Sequence, residues 1–402
     1  MTSTTPLAAA SSWAGDSMRQ RFPGLSDGWA RLDGPAGTLP VDTCTVAIAD
    51  YMSSPAPANL GGAFVASEVT GDVVSRARAA TAELIGAEPN EVVFGPSTTN
   101  LMFSFTRALS RTWQAGDRIV CTQLDHDSNI SPWVTAARDV GAVVEMLKVD
   151  PVDGTLDVEP LAELCADGRT RWVALSGASN LTGFAPDVAR ATEIAHQYGA
   201  RIHIDGVARV PHLPTNAAQW GVDSLSTSPY KWYGPHLGAL AVRHGLLGEV
   251  EPYRVRPADY EGPLRWETGT GQFELLAGVV AAAEFMLSTP ISEIAATECR
   301  LLALMQEGLH DIPGVVVHGP SVTPDRAPTV IFSVVGQSPH DVAAKLAGER
   351  VAVWSGDNYA CELVDAMGLR PGGGVVRAGV ARYTNDDDIA RLLAAVAALC
   401  AE

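Results

Sequence analysis

Any chemistry in this chain that needs an amine able to lose its charge has three candidates, because only Lys148, Lys231 and Lys345 among its 28 basic side chains are lysine. Lys148 ends the apolar run of EMLKVD and Lys345 lies on the amphipathic stretch DVAAKLAG, and a solvated surface amine is the plain expectation for both. Lys231 sits in SLSTSPYKWYGPHLGAL, where a strand runs into Ser-Pro-Tyr, the lysine stands between aromatic residues, and Gly-Pro follows. Rings around an ammonium exclude water, lower its pKa and make the neutral amine a nucleophile able to form a Schiff base. A lysine that snorkels from a surface loop fits the same segment.

Upstream, several apolar strands close on one polar group each. Asp205 ends RIHID and precedes Gly206. A carboxylate there can pair with a pyridinium nitrogen and keep it protonated, which makes the ring an electron sink; it can equally cap a following helix. Asn180 in SGASNLTG closes the preceding strand, where its amide could bond a phenolate oxygen or build an ordinary turn. Ser97, Thr98 and Thr99 lie between the strand EVVFG and the next helix. Hydroxyls and free N–H groups at a helix N-terminus suit a phosphate dianion, and simple N-capping explains the same residues. His126 in QLDHDSNISPW follows a strand and precedes a helix, so its ring could stack on a cofactor, exchange a proton, or belong to a polar surface loop. Together these are the groups a pyridoxal phosphate site needs, with Lys231 as its Schiff-base residue.

The elements that must carry these residues alternate in type. Residues 65–86 have an apolar stripe at helical spacing that ends on Gly86, and 91–95 is a short apolar run that stops at Gly-Pro. Beyond Thr99 the pattern predicts helix, strand 118–122, a helix from 133, strand 143–149, helix 158–166, strand 172–177, helix 187–198 and strand 201–205. Such alternation predicts an α/β unit whose mostly parallel sheet is covered on both faces and binds ligands at the carboxyl ends of its strands. Composition changes near 250–275, which divides the chain into a loose tail (1–18), an N-terminal segment with a large domain (19–265), and a long helix with a smaller C-terminal α+β domain (266–402). Helices are expected at 274–288, 293–310 and 386–401, and strands at 314–318 and 328–335.

Composition limits the partners. Against 28 bases stand 46 acids, a net charge of -18 that repels phosphate backbones and anionic lipid, so neither nucleic acid nor a membrane surface is expected. At 47% hydrophobic and 18% charged the chain can bury a substantial core. No apolar run approaches the ~18 residues of a membrane span, and the first basic residue is Arg19, so a cytoplasmic location is expected. The six cysteines lack a CxxC spacing and are expected as reduced thiols, and the nine histidines lack an HExxH spacing, so no metal site is expected.

The ordered series GPSTTN, DHDSNISPW, SNLTG, HIDG, TSPYKWYGP, ETGTGQ and VRAGVARYTN resembles the class V aminotransferase branch of the fold type I pyridoxal phosphate enzymes. Within that branch it is similar to the cysteine desulfurase-like proteins, over about residues 20 to 400. The resemblance implies a large domain with a seven-stranded, mostly parallel sheet and a smaller C-terminal α+β domain. It also implies that Lys231 carries the internal aldimine, Asp205 pairs the pyridine nitrogen, His126 stacks on the ring and Asn180 reaches the ring oxygen, with Tyr230 beside them. Thr98, Thr99 and Ser228 would hold the phosphate, and Arg377 the substrate α-carboxylate. Gly269 and Thr270 match the loop that completes the phosphate site of the other subunit, which implies a homodimer with shared active sites.

The chain departs from the family at informative places. By family register Tyr359 occupies the position of the sulfur-accepting thiol, and Cys361 lies two residues beyond, facing the same way on a strand but elsewhere on a helical start. Tyr230 precedes the lysine where His is usual, and Ala208 stands where Gln or His usually reaches the ring oxygen. The function expected is α-deprotonation of a small amino acid through an external aldimine, followed by β-elimination of the carbon–sulfur lyase type. A desulfurase using Cys361, a transaminase, an epimerase, a carbon–carbon bond-forming enzyme and a non-catalytic binding protein are the alternatives. Residues 53–64, small and without distinctive charge, are expected to line the substrate pocket.

Overall fold

The structure is a computed structural model that describes residues 16–258 and 260–401. Most of the expected tail, residues 1–15, lies outside the described residues, and its last part belongs to a helical turn, Asp16–Arg19. Strand residues alternate between two apolar cores, as the period of two in an extended chain requires. Val93, Ile119, Cys121, Trp172 and Ala174 face the core that includes helices Thr98–Leu109 and Ser131–Val140. Val92, Phe94, Val120, Val173 and Leu175 face the opposite core, which includes helices Val65–Ile85, Val188–Gln197 and Phe273–Leu287.

The seven strands lie in the order Val92–Gly95, Gly238–Val242, Ser224–Thr227, Arg201–Asp205, Thr170–Ser176, Arg118–Thr122, Val143–Leu147. Gly238–Val242 runs against both its neighbours and the other pairings are parallel. This is the expected mostly parallel sheet, clad on both faces. Register then sets the site's floor: Ser176 pairs with Asp205 and Asp205 with Ser226, so the polar residues that end these strands stand side by side at one carboxyl edge.

Local chemistry accounts for where the elements stop. Helix Val65–Ile85 ends on Gly86 at φ 64°, a left-handed cap that glycine adopts without steric cost. The helix expected from 133 starts at Ser131 with Pro132 in its first turn, where a missing N–H costs nothing. The one expected at 158–166 shortens to Leu161–Cys165 behind Pro160.

A second sheet of four antiparallel strands has the order Trp354–Gly356, Val375–Gly379, Thr329–Val334, Val315–His318, with Trp354 opposite Arg377. Its core also takes in Ala30 and Leu32 from the N-terminal segment, which pairs in parallel with Val351–Ala352 through Ala30–Arg31. The long helix Phe273–Leu287 packs into the core of the large sheet. The division between residues 265 and 266 therefore does not coincide with the division of apolar cores. Among the described residues no single helix is long and apolar enough to cross a membrane, and no cluster of His, Cys, Asp and Glu is arranged to hold a metal ion.

Candidate active site

Lys231 closes a single turn, Pro229–Lys231, directly after strand Ser224–Thr227. Its neighbours hold that turn: Trp232 is buried and its Nε1–H donates to Thr227 Oγ1 at 3.1 Å, while Tyr230 stacks on His236 at 5.1 Å. The Lys231 amine lies 5.4 Å from the Tyr230 ring and donates to the carbonyl of Pro35. Burial, then the positive charge of Arg377, push its pKa down to about 7, against an opposite pull from Asp205. The other two lysines are exposed, and Lys345 donates to Gln337 Oε1.

Pro35 belongs to a strap that sequence reasoning overlooked. Asp33 bridges to Gly379 in the small sheet, and Thr38 bonds the Tyr230 carbonyl through its N–H and its hydroxyl, both at 3.0 Å. The strap thereby ties the lysine turn to the strand that carries Arg377. Nothing in its composition, a Gly- and Pro-containing loop, marks it as part of a site.

A small cavity beside Lys231 is lined by Ser97, Thr98, Thr99, His126, Asn180, Asp205, Ser228 and Tyr230, among others. Asp205 is buried, takes the Val207 N–H at 2.9 Å, and is pushed up to about 6 chiefly by desolvation. His126 accepts the Ser128 N–H on Nδ1 at 3.0 Å, so the neutral ring carries its hydrogen on Nε2; burial and the charges of Lys231 and Arg377 lower its pKa to about 4. Ser97 caps helix Thr98–Leu109 by accepting the Asn100 N–H, which leaves the first N–H groups, of Thr98 and Thr99, to other partners. Thr98 Oγ1 meets Ser228 Oγ at 2.6 Å. Gly238 makes this cradle possible, because a Cβ there would stand 2.3 Å from Ser97 C and Thr98 N.

A larger cavity of about 630 Å³ continues outward past Lys231 and His126 to Arg377, with Trp354, Asp357, Asn358, Tyr359 and Arg370 at its rim. Arg377 reaches it from the small sheet, donating to the Asn180 carbonyl at 2.8 Å; burial lowers its pKa to about 10, so it stays cationic at neutral pH. Three buried polar atoms on this wall, Asn180 Oδ1, Asn358 Oδ1 and Arg377 Nε, have no hydrogen-bond partner. Buried polar groups are normally paired, and unpaired ones facing a cavity suit a polar ligand.

The rim is held rigidly. Asn358 and Tyr359 both adopt left-handed backbone, φ 53° and 61°, at a cost of about 1–3 kcal/mol each. Asn180 Nδ2 bonds the Asn358 carbonyl at 2.8 Å and the Asp127 N–H bonds the Tyr359 carbonyl at 2.7 Å, which fastens the loop to both sides of the site. The Tyr359 ring stacks on His126 at 5.3 Å. Cys361 opens helix Cys361–Ala366, so the helical alternative holds and its thiol turns to Asp357 Oδ2 at 3.6 Å rather than lining the cavity.

Two expectations need correction or relocation. Residues 53–64 do not line either cavity; in the single chain the strap and the 354–359 loop form that wall instead. Gly269 and Thr270 line a separate cavity with Glu267, Pro96 and Asn100, away from Lys231. All other expected site residues gather around the two joined cavities.

These residues fit pyridoxal phosphate: a buried carboxylate for a ring nitrogen, an amine of lowered pKa, a flat neutral imidazole, and a glycine-backed helix N-terminus with two hydroxyls for a phosphate. Known proteins agree. The aminotransferase class-V family model matches residues 31–392. The probable cysteine desulfurase 2 of Mycobacterium leprae is 32% identical over 353 residues, 83% of each chain. The apo cysteine desulfurase of Thermococcus onnurineus has a similar structure (TM-score 0.90, 25% identity, 96% of this chain and 98% of that one). So does the cysteine desulfurase CsdA of Escherichia coli (TM-score 0.85, 27% identity, 94% and 96%). A match over most of the sequence and over nearly the full length of such relatives leads to one assignment: the chain belongs to the class-V aminotransferase family of pyridoxal phosphate-dependent enzymes.

Proposed function

We propose that this enzyme cleaves the carbon–sulfur bond of a small, cysteine-like amino acid by α-deprotonation and β-elimination. The observation that carries the reading is a cavity that joins the Lys231 amine to the Arg377 guanidinium and has no thiol among its lining residues. Bound pyridoxal phosphate supplies an electron sink for the substrate's α-carbon.

Each residue's part follows from its surroundings. Asp205 offers the ring nitrogen a carboxylate at the closed end of the site, and Thr98, Thr99 and Ser228 offer the phosphate hydroxyls and N–H groups. Arg377 takes the α-carboxylate with the planar fork of its guanidinium, which includes the unpartnered Nε–H. That anchoring turns the α-carbon toward Lys231, whose amine, half neutral near pH 7, removes the α-proton. His126 carries a hydrogen on Nε2 and can hand it to a departing sulfur. Tyr359, stacked on His126, covers that side of the site.

Sulfur transfer to Cys361 is the second reading. Burial and Asp357 hold its thiol up, which disfavours the thiolate a sulfur acceptor needs. Cys361→Ser should leave sulfide release from cysteine within about twofold of the parent, and a loss of release would overturn the lyase reading in favour of this one. Product analysis over a panel of amino acids separates elimination from transamination and epimerisation. A preparation that binds the cofactor and turns over none of them points to a binding protein.

The enzyme is proposed to act in the cytoplasm as a homodimer, with Gly269 and Thr270 reaching the partner's phosphate site; their position on a separate cavity is in keeping with that role. Light scattering of the purified protein tests the dimer.

A further inference from the structure

Beneath the site lies a second buried carboxyl group that the proposed reaction does not use. Asp125 is fully buried, one residue before His126. One of its oxygens takes the Thr122 hydroxyl and the other takes Asn129 Nδ2–H at 2.8 Å. Thr122 is the last residue of strand Arg118–Thr122, and its hydroxyl also accepts the Leu124 N–H at 3.1 Å. Asn129 ends the single turn Asp127–Asn129 that His126 caps, and its own Oδ1 accepts Trp133 Nε1–H at 3.2 Å. Trp133 has no exposed surface and packs against Phe105, Trp172 and His203. Asp125 therefore links the end of a core strand to the turn presenting His126, and through Asn129 to the aromatic core.

We propose that Asp125 is a positioning residue for His126: an uncharged hydrogen-bonding brace that sets the angle at which the imidazole meets the cofactor. The proposal rests on the pyridoxal phosphate reading above. Geometry supports the uncharged form, because the groups that bond Asp125 are the hydroxyls of Thr122 and Ser176 and the amide of Asn129, with no cation among them, and Ser176 in turn pairs with Asp205 on the neighbouring strand. Desolvation, reinforced by the charge of Asp205 and opposed by Thr122, Asn129 and Ser176, pushes Asp125 up to about 7. Asp205, the member of the pair that also faces Lys231, keeps the charge a pyridinium requires.

The test uses the purified, cofactor-loaded enzyme and three variants. Asp125→Asn keeps the shape and the acceptor for Asn129 Nδ2–H, and its own Nδ2–H can donate to Thr122 Oγ1 as a protonated carboxyl would, so its pyridoxal phosphate affinity and visible circular dichroism should stay within about twofold of the parent. Asp125→Ala should weaken cofactor affinity about tenfold and change the sign or amplitude of the visible band, since the ring that faces the cofactor is no longer held. In a His126→Ala background the same Asp125→Ala change should cost under about twofold, because its effect runs through the imidazole. Thr122→Val, which removes one hydroxyl and keeps the shape, should move affinity and band in the same direction by a smaller factor, and it decides the question if Asp125→Ala does not fold. The proposal is overturned if Asp125→Asn is as damaged as the alanine variant, if the losses from Asp125→Ala and His126→Ala simply add, or if Thr122→Val leaves the cofactor band unchanged. A parent protein that binds no pyridoxal phosphate would instead remove the cofactor reading itself, before any variant is compared.

Discussion

Replacing Arg377 by methionine tests the electrostatics of the site without depending on the substrate. An amine of ordinary pKa 10.5 is neutral in roughly one molecule in three thousand at pH 7, whereas one held at about 7 is neutral in roughly half. The structure assigns that gain first to burial of the Lys231 side chain and second to the Arg377 charge, with Asp205 acting in the opposite sense. Methionine matches the length of the arginine stem and fills the same space, so burial is kept while the repulsion goes. The amine of Arg377→Met should then lose its proton about one pH unit higher, well short of 10.5 because the larger cause remains. The assay mixes cofactor-free protein with pyridoxal phosphate at a series of pH values and follows the initial rate at which the imine band grows. In the parent the rate should climb through a midpoint near pH 7 and level off. A parent rate still rising at pH 10 would refute the burial argument. An unchanged midpoint in Arg377→Met would refute the coupling between the two side chains.

Two further predictions concern the carboxylate and the phosphate cradle. Asp205 has a folded-state pKa raised from 3.8 to about 6, so the folded protein holds an extra proton in that window and the group costs stability once pH exceeds about 6. Asp205→Asn should therefore stabilise the cofactor-free protein against urea at pH 8 by about 1–3 kcal/mol, lose that advantage below about pH 4, and lower turnover at least a hundredfold. A variant less stable than the parent at pH 8 without cofactor would contradict the sign. Gly238→Ala forces a methyl onto the backbone of Ser97 and Thr98, which cannot swing aside as a side chain would. It should cost about 1–3 kcal/mol in unfolding free energy and weaken pyridoxal phosphate binding, and unchanged cofactor affinity in a titration would show that the cradle is not where the phosphate sits.

Much of this site is local, and local features are legible in a sequence. Each apolar strand of about five residues announces its own end, and in a mostly parallel sheet those ends come to one edge, so Asp205, Asn180, His126 and Lys231 could be placed together from their order alone. Lys231 stood out because only three lysines exist and one lies among rings. The residues assigned through family likeness, Arg377 above all, also reached the cavity, but no periodicity could have sent a strand of the second sheet there.

What tertiary structure alone decided was everything that depends on two distant segments meeting. The Pro35 strap lies almost 200 positions from the lysine it touches, and its short loop carries no periodic signal. The expected pocket segment at 53–64 was displaced by a loop whose left-handed Asn358 and Tyr359 are held by contacts with Asn180 and Asp127. Asp125 read as one acid in a polar run, DHDSN, until burial and two hydrogen bonds set it apart. Sequence determined the kind of chemistry because backbone periodicity and side-chain type are properties of neighbours. The charge each group carries was left to the fold, because desolvation and Coulomb terms depend on distances through space.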